Sequence, residues 1–246
     1  MASVEAKIMN QILALLMVLF GLSPVSISQT KESPGELFRS ASSKYAQHDY
    51  KGTIEEITRF IKLKSNVAEG FGIRGDAKCG LEDWKGAIDD YNRAITLNSK
   101  LAVAYHHRGN AKCMLQDYLG AVTDYSKAIK FSPNDAEVYN DRGNAKRSLK
   151  EYQGAISDFT HAITLSPDDA KAYNNRGNAY GRLNEYAKSI IDYDKAISLV
   201  PTYAEAYNNR GIANLGLGLK SKAKEDFKKA NELGWNVPQE LFDMCR

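Results

Sequence analysis

Residues 170–203 read AKAYNNRGNAYGRLNEYAKSIIDYDKAISLVPTY. Wound at about 100° per residue, the first half puts Ala170, Ala172, Tyr173, Gly177 and Ala179 on one face. The second half repeats the period with Tyr186, Ile190, Tyr193, Ala196 and Ile197. Pro201 cannot continue a helix and opens the next turn. The stretch therefore predicts two amphipathic helices. Small residues on the first stripe let neighbouring helices approach closely. A single hairpin of this kind cannot bury its apolar face alone, so it needs neighbours of the same shape.

The chain supplies them. Arg74, Arg108, Arg142, Arg176 and Arg210 lie 34 residues apart. Gly75, Gly109, Gly143, Gly177 and Gly211 keep that step, as do Phe71, Tyr105, Tyr139, Tyr173 and Tyr207, and Ala94, Ala128, Ala162, Ala196 and Ala230. Pro133, Pro167 and Pro201 close three of the units. The units run 68–101, 102–135, 136–169, 170–203 and 204–237. Residues 34–67 form a divergent sixth, with Tyr50 and Ile54 in phase, but Ala41 at the glycine and Phe60 at the later alanine.

These residues resemble the tetratricopeptide repeat (TPR) family, whose pattern joins an aromatic, a glycine, alanines, a second aromatic and a closing proline in 34-residue units. Unit 136–169 shows it as Tyr139, Gly143, Ala155, Phe159, Ala162 and Pro167. The resemblance spans residues 34–237 without insertion and implies an all-α, right-handed superhelical solenoid of helix-turn-helix repeats. Two features depart from the family. Arginine precedes each glycine where leucine is usual, and Lys78, Lys112 and Lys146 stand where tyrosine is common. The excess of tyrosine, 14 against 8 Phe and 2 Trp, is a packing feature of the repeats.

The arginines fall on the apolar face, where an unpaired charge is costly. Each unit also carries an aspartate sixteen residues after its arginine: Asp90, Asp124, Asp158, Asp192 and Asp226. We expect Arg74, Arg108, Arg142, Arg176 and Arg210 to pair with these on a neighbouring second helix. Five evenly spaced copies of a pair argue for structure rather than catalysis.

The opposite face of the first helix, unit positions 2, 5, 6, 9, 12 and 13, lines the concave surface in the resembled family. Here it holds His106, His107, Asn110, Asn140, Asn144, Arg147, Asn174, Asn175, Asn178, Arg182, Asn208 and Asn209. Asparagine offers both a donor and an acceptor, so a ladder of it satisfies a peptide backbone whatever the side chains. Some family members hold extended peptides in this way. The bland reading is that asparagine solvates an exposed face copied by repeat duplication. A carboxylate clamp of the chaperone-adaptor type is not matched. Asn110 and Lys171 fit it, but His106, Asp141 and Asn175 do not.

Composition narrows the function. With 33 basic against 30 acidic residues, the net charge of +3 gives little drive toward nucleic acid. Three cysteines make no disulfide framework. Cys79, Cys113, His106 and Asp76 could suggest a soft metal, but no CxxC or HxxxH spacing supports one, and neither metal nor cofactor is expected. No phosphate loop, GxSxG or HExxH motif is present, so no enzyme is expected. The lysines of 220–229 read as a solvated face, and Pro238 to Arg246 as a short cap with Leu241 and Phe242 inward.

Residues Ile12–Leu22 form an apolar run of secretory length, with small residues before Ser28–Gln29. Residues 1–28 are expected to be a signal peptide or a membrane anchor, with 29–33 as linker. The protein would then be exported if the segment is cleaved and membrane-tethered if it is not. The sequence thus supports a protein-interaction scaffold that binds an extended peptide or another protein. An assembly factor or chaperone-like adaptor using the convex face or edges is the alternative.

Overall fold

The computed structural model describes residues 33–246; the leader or anchor expected at 1–28 and nearly all of the 29–33 linker lie outside them. Among the described residues there are thirteen helices and no strand. They form six consecutive pairs. These are α1 (Pro34–Ala46) with α2 (Tyr50–Leu63), α3 (Ala68–Gly80) with α4 (Trp84–Leu97), α5 (Ala102–Met114) with α6 (Tyr118–Phe131), α7 (Ala136–Ser148) with α8 (Tyr152–Leu165), α9 (Ala170–Arg182) with α10 (Tyr186–Leu199), and α11 (Ala204–Gly216) with α12 (Lys220–Glu232). Helix α13 (Gln239–Asp243) follows. None of the described helices is long and apolar enough to cross a membrane.

Within a pair, the repeated step of glycine and aromatic sets the approach. A Cβ built on Gly143 would stand 2.6 Å from Phe159 Cε1, and one on Gly109 would stand 2.6 Å from Tyr125 Cε1. Only glycine lets the ring lie flat against the first helix. Phe159, Phe227, Tyr91 and Tyr125 are fully buried, and Tyr193 is nearly so. Alanines such as Ala87, Ala121, Ala155 and Ala223 fill the remaining seam. The core is a thin continuous seam along the stack.

The tight turn inside each pair has one solution used six times. Helix α5 ends with Gln116 N–H bonded to Cys113 O at 2.9 Å and Asp117 N–H to Lys112 O at 2.9 Å. This is the Schellman closure, which needs a left-handed residue. His48, Glu82, Gln116, Lys150 and Asn184 all take it, with φ of 59–63°, and Gly218 takes it in the last pair. Asp117 then caps α6, accepting from Gly120 N at 3.0 Å. A left-handed non-glycine residue costs about 1–2 kcal/mol, of which glycine's larger unfolded entropy returns about 0.5–1. Gln116→Gly should therefore stabilise the protein by about 0.5–1 kcal/mol. A raised denaturation midpoint at unchanged slope is the expected result, and an unchanged or lowered midpoint would refute it.

At the C-terminus, Leu241, Phe242 and Cys245 pack onto Phe227, Ala230 and Val237. The Phe227 and Phe242 rings meet edge-on at 5.8 Å. The tail thus covers the apolar end that stacking would otherwise leave open. The lysines of α12 are exposed.

Candidate functional site

Successive first helices touch one another directly, whereas successive second helices stand further apart. The stack therefore bends with the first helices inside, and their free face lines the inner surface. Two sets of side chains hold this curvature.

The first set is the repeated arginine. Arg142 Nε and Nη2 grip both oxygens of Asp158 at 2.9 and 2.6 Å, joining α7 to α8. The same two-pronged grip joins Arg74 to Asp90, Arg108 to Asp124, Arg176 to Asp192 and Arg210 to Asp226. The third nitrogen reaches back one unit, a contact the sequence reading did not anticipate. Arg74 Nη1 donates to Thr58, Arg108 to Asn92, Arg142 to Ser126, Arg176 to Thr160 and Arg210 to Asp194. Each arginine thus ties two second helices through one first helix. Its guanidinium also lies over the aromatic ring three residues earlier, 5.4 Å away at Tyr105 and 5.7 Å at Tyr173. Lys78, Lys112 and Lys146, the family departures, add a second cation to Asp90, Asp124 and Asp158 at 2.7–2.8 Å. In the divergent first pair Lys44 and Glu56 keep that contact at 3.0 Å. The signal for the backward contact was present in the sequence as an in-phase column of small polar residues, Thr58, Asn92, Ser126, Thr160 and Asp194.

The second set corrects the groove assignment. His106, Asn174 and Asn208 are only 7%, 1% and 7% exposed, and so do not line an open surface. At His106, Asn140 and Asn174, position 5 turns into the seam between first helices, where position 6 of the next unit covers it. His106 Nε2 lies 2.8 Å from Asp141 Oδ2, Asn175 Nδ2 donates to Asn140 Oδ1 at 3.0 Å, and Asn209 Nδ2 donates to Asn174 Oδ1 at 3.1 Å. Most of the asparagine pairs at positions 5 and 6 thus bond to each other across units. A single-helix wheel cannot show this, because the neighbour that covers position 5 belongs to the next repeat.

Position 9 is different. Asn110 Oδ1 accepts from Tyr125 at 2.7 Å, Asn178 Oδ1 from Tyr193 at 2.8 Å, and Asn144 Oδ1 from Arg147 Nη2 at 3.2 Å. The carbonyl of each is occupied, and the side chain is oriented by it. The amide Nδ2 groups have no acceptor among the described residues, and the side chains line two clefts, Asn110 and Asn144 in one and Asn178 in the other.

The clefts differ in charge. The first, about 560 Å³, is lined by Asp76, Glu137 and Asp141 with His107, Tyr45, Trp84 and Met114. There Asp76 accepts from Tyr91 at 2.7 Å and meets His107 Nδ1 at 2.6 Å. Burial opposes the charged imidazole of His107, but the hydrogen bond and charge of Asp76 outweigh it and raise its pKa. Burial also raises Cys79 and Cys113, each 3.5 Å from a tyrosine hydroxyl. The second cleft, about 550 Å³, holds Arg147 and Arg182 with Glu205 and Asn209.

The sequence places this architecture among known proteins. The family model described as TPR repeat matches residues 109–146 and 143–184, and those described as tetratricopeptide repeat match 170–203 and 204–233. MamA, in its crystal structure, is 31% identical, with a TM-score of 0.62 over 65% of this chain and 93% of its own. The chain belongs to the tetratricopeptide repeat family. YrrB, described as a TPR protein with an unusual peptide-binding site, shares the fold at 20% identity and a TM-score of 0.64, over 72% of this chain and 92% of its own. The C-terminal part of a TPR protein from Cytophaga hutchinsonii shares it at 20% identity and a TM-score of 0.70, over 89% and 90%. No curated protein matches by sequence. The TPR units at 34–67 and 68–101 lie outside the family-model matches, yet they form the same helix pairs. The TPR fold makes the chain a protein-interaction scaffold of a family known for non-enzymatic roles.

Proposed function

We propose that this TPR protein holds an extended segment of another protein along its inner face and performs no catalysis. The observation that carries the reading is the row of position-9 amides. Asn110, Asn144 and Asn178 recur once per unit, each with its carbonyl fixed by the protein and its Nδ2 donors free. Donors held at a regular step suit the carbonyls of an extended backbone. The clefts add direction, with a cationic side chain favoured beside Asp76, Glu137 and Asp141 and an anionic one beside Arg147 and Arg182.

The test selects a ligand from a displayed random-peptide library and measures its Kd. Each lost hydrogen bond is worth about 0.5–1.5 kcal/mol, so Asn110→Ala, Asn144→Ala and Asn178→Ala together should weaken binding by about 10- to 1,000-fold at unchanged helicity. Full affinity in the triple variant would defeat the reading. Asn175→Ala, which loosens the seam instead, should cost stability before affinity. The low net charge and the apolar run at 12–22 support a protein partner rather than nucleic acid and a location outside the cytosol or at a membrane. N-terminal sequencing of the natural protein decides between cleavage and tethering.

A further inference from the structure

The seam between α5 and α7 differs chemically from its sibling between α9 and α11. At the sibling, position 5 of one unit meets positions 2 and 6 of the next. Asn174 Nδ2 donates to Glu205 Oε1 at 3.1 Å, and Asn209 Nδ2 stands between Asn174 Oδ1 at 3.1 Å and Glu205 Oε1 at 3.5 Å. One carboxylate is satisfied there by two amides. The same three positions at α5 and α7 carry His106, Glu137 and Asp141. Their ligand atoms, one imidazole nitrogen and two carboxylate oxygens, all lie within 4.8 Å of one another. Of the two carboxylates only Asp141 meets the buried imidazole, at Nε2, and Glu137 makes no side-chain hydrogen bond or ion pair among the described residues. The amides that neutralise the sibling are gone, and the cluster has an excess of negative charge beside the acidic cleft.

We propose that His106, Glu137 and Asp141 form a site for one divalent transition-metal ion, of the zinc, cobalt, nickel or manganese class. Imidazole with carboxylates suits these ions, whereas calcium wants six to eight oxygens and copper(I) wants sulfur. Glu137 and Asp141 are one turn apart on α7, and His106 is anchored in the seam by burial. The ligands therefore come from two rigid helices and need only small side-chain shifts to close on an ion. The metal binds at Nε2, the ring nitrogen that now faces Asp141, and displaces any proton it carries. Glu137 is exposed, so the remaining coordination positions open toward the cleft. The thiols Cys79 and Cys113 stay with their tyrosines and take no part. A local motif search misses the site because its ligands come from two units, His106 and Asp141 being 35 residues apart.

The test uses the untagged, chelator-stripped chain titrated with Co²⁺, followed by visible absorption, and then Zn²⁺ in competition. The expected result is one saturable equivalent per chain. His106→Asn and Asp141→Asn, which install the residue types of the sibling seam and so keep the fold, should each weaken binding at least about 10-fold. Glu137→Gln should weaken it similarly, and His161→Asn should not. Absence of a saturable equivalent, or an affinity that survives His106→Asn at full helicity, would overturn the proposal. It stands or falls independently of peptide binding.

Discussion

Arg176→Met should destabilise the protein by about 3–5 kcal/mol, and Arg142→Met by clearly less, about 1–3. The two arginines sit at equivalent positions and make equivalent grips on Asp192 and Asp158. What differs is the residue four places on. Asp158 keeps Lys146 at 2.8 Å when its arginine is lost. Asp192 has Tyr180 there instead of a lysine, and it is left buried without a cation. A desolvated carboxylate without a partner is the costly case, so the second cation sets the order of the two variants. Both substitutions also cut the tie to the preceding unit, at Thr160 and Ser126 respectively. Removing both charges, Arg176→Met with Asp192→Leu, should recover most of the loss, because an apolar pair of similar volume is often neutral in place of a buried ion pair. Denaturant unfolding of the variants provides the measurement. Equal costs for the two arginines would show that Lys146 contributes nothing to holding Asp158. A double variant as unstable as Arg176→Met would show that the tie to Thr160, not the buried charge, is what matters.

The helix pairs were legible because every unit repeats its packing residues in phase, so Gly143 and Phe159 announce a contact that Gly109 and Tyr125 repeat. The arginine–aspartate contacts were legible for a different reason. A guanidinium on an apolar stripe must have a partner, and of the two acidic columns that keep the same step, Asp83, Asp117, Glu151 and Glu185 fall in the turn while Asp90, Asp124, Asp158 and Asp192 fall inside the second helix. What could not be read from one unit is what one unit does to the next. His106 and Asn174 lie on the inner face of their own helix, yet the first helix of the next unit covers them. The third arm of each arginine crosses the same boundary. Stacking geometry decides both, and the helical wheel of a single segment contains none of it. The left-handed residue at Glu82, Gln116, Lys150 and Asn184 escaped for the opposite reason. The turn imposes a backbone conformation that these four side chains and His48 accept at a cost, and only Gly218 advertises it. Of the expected groove, the position-9 asparagines retain free donors, while the asparagines at positions 5 and 6 are engaged in the seam.

Above pH 10 the fold should lose stability steeply, and the buried tyrosines are the reason. Tyr91 and Tyr193 are held well above the usual phenol range, first by burial and then by nearby carboxylates, Asp76 for Tyr91 and Asp192 for Tyr193. An unfolded tyrosine ionises near pH 10. Between that pH and the raised folded value, the native state binds more protons than the unfolded one, so stability falls as pH rises. Below pH 10 the contribution is fully present. The slope is about 1.4 kcal/mol per pH unit for each group, or about 3 for the pair, a large fraction of a typical domain's stability within two units. The thiols of Cys79 and Cys113, also raised by burial, act in the same direction from a lower pH. Phenolate absorbance at 295 nm should therefore rise in two stages. Exposed tyrosines titrate first with helicity intact, and the rest appear only as the ellipticity at 222 nm collapses. Tyr91→Phe with Tyr193→Phe should move that collapse to higher pH, since Phe159 and Phe227 already show that the site accepts the bare ring. At neutral pH the same variant gives up hydrogen bonds to Asp76 and Asn178, worth about 1 kcal/mol each, so it should be the less stable protein at pH 7 and the more resistant one at pH 11. A single smooth titration of all 14 phenols near pH 10 with unchanged ellipticity would contradict the burial of these hydroxyls.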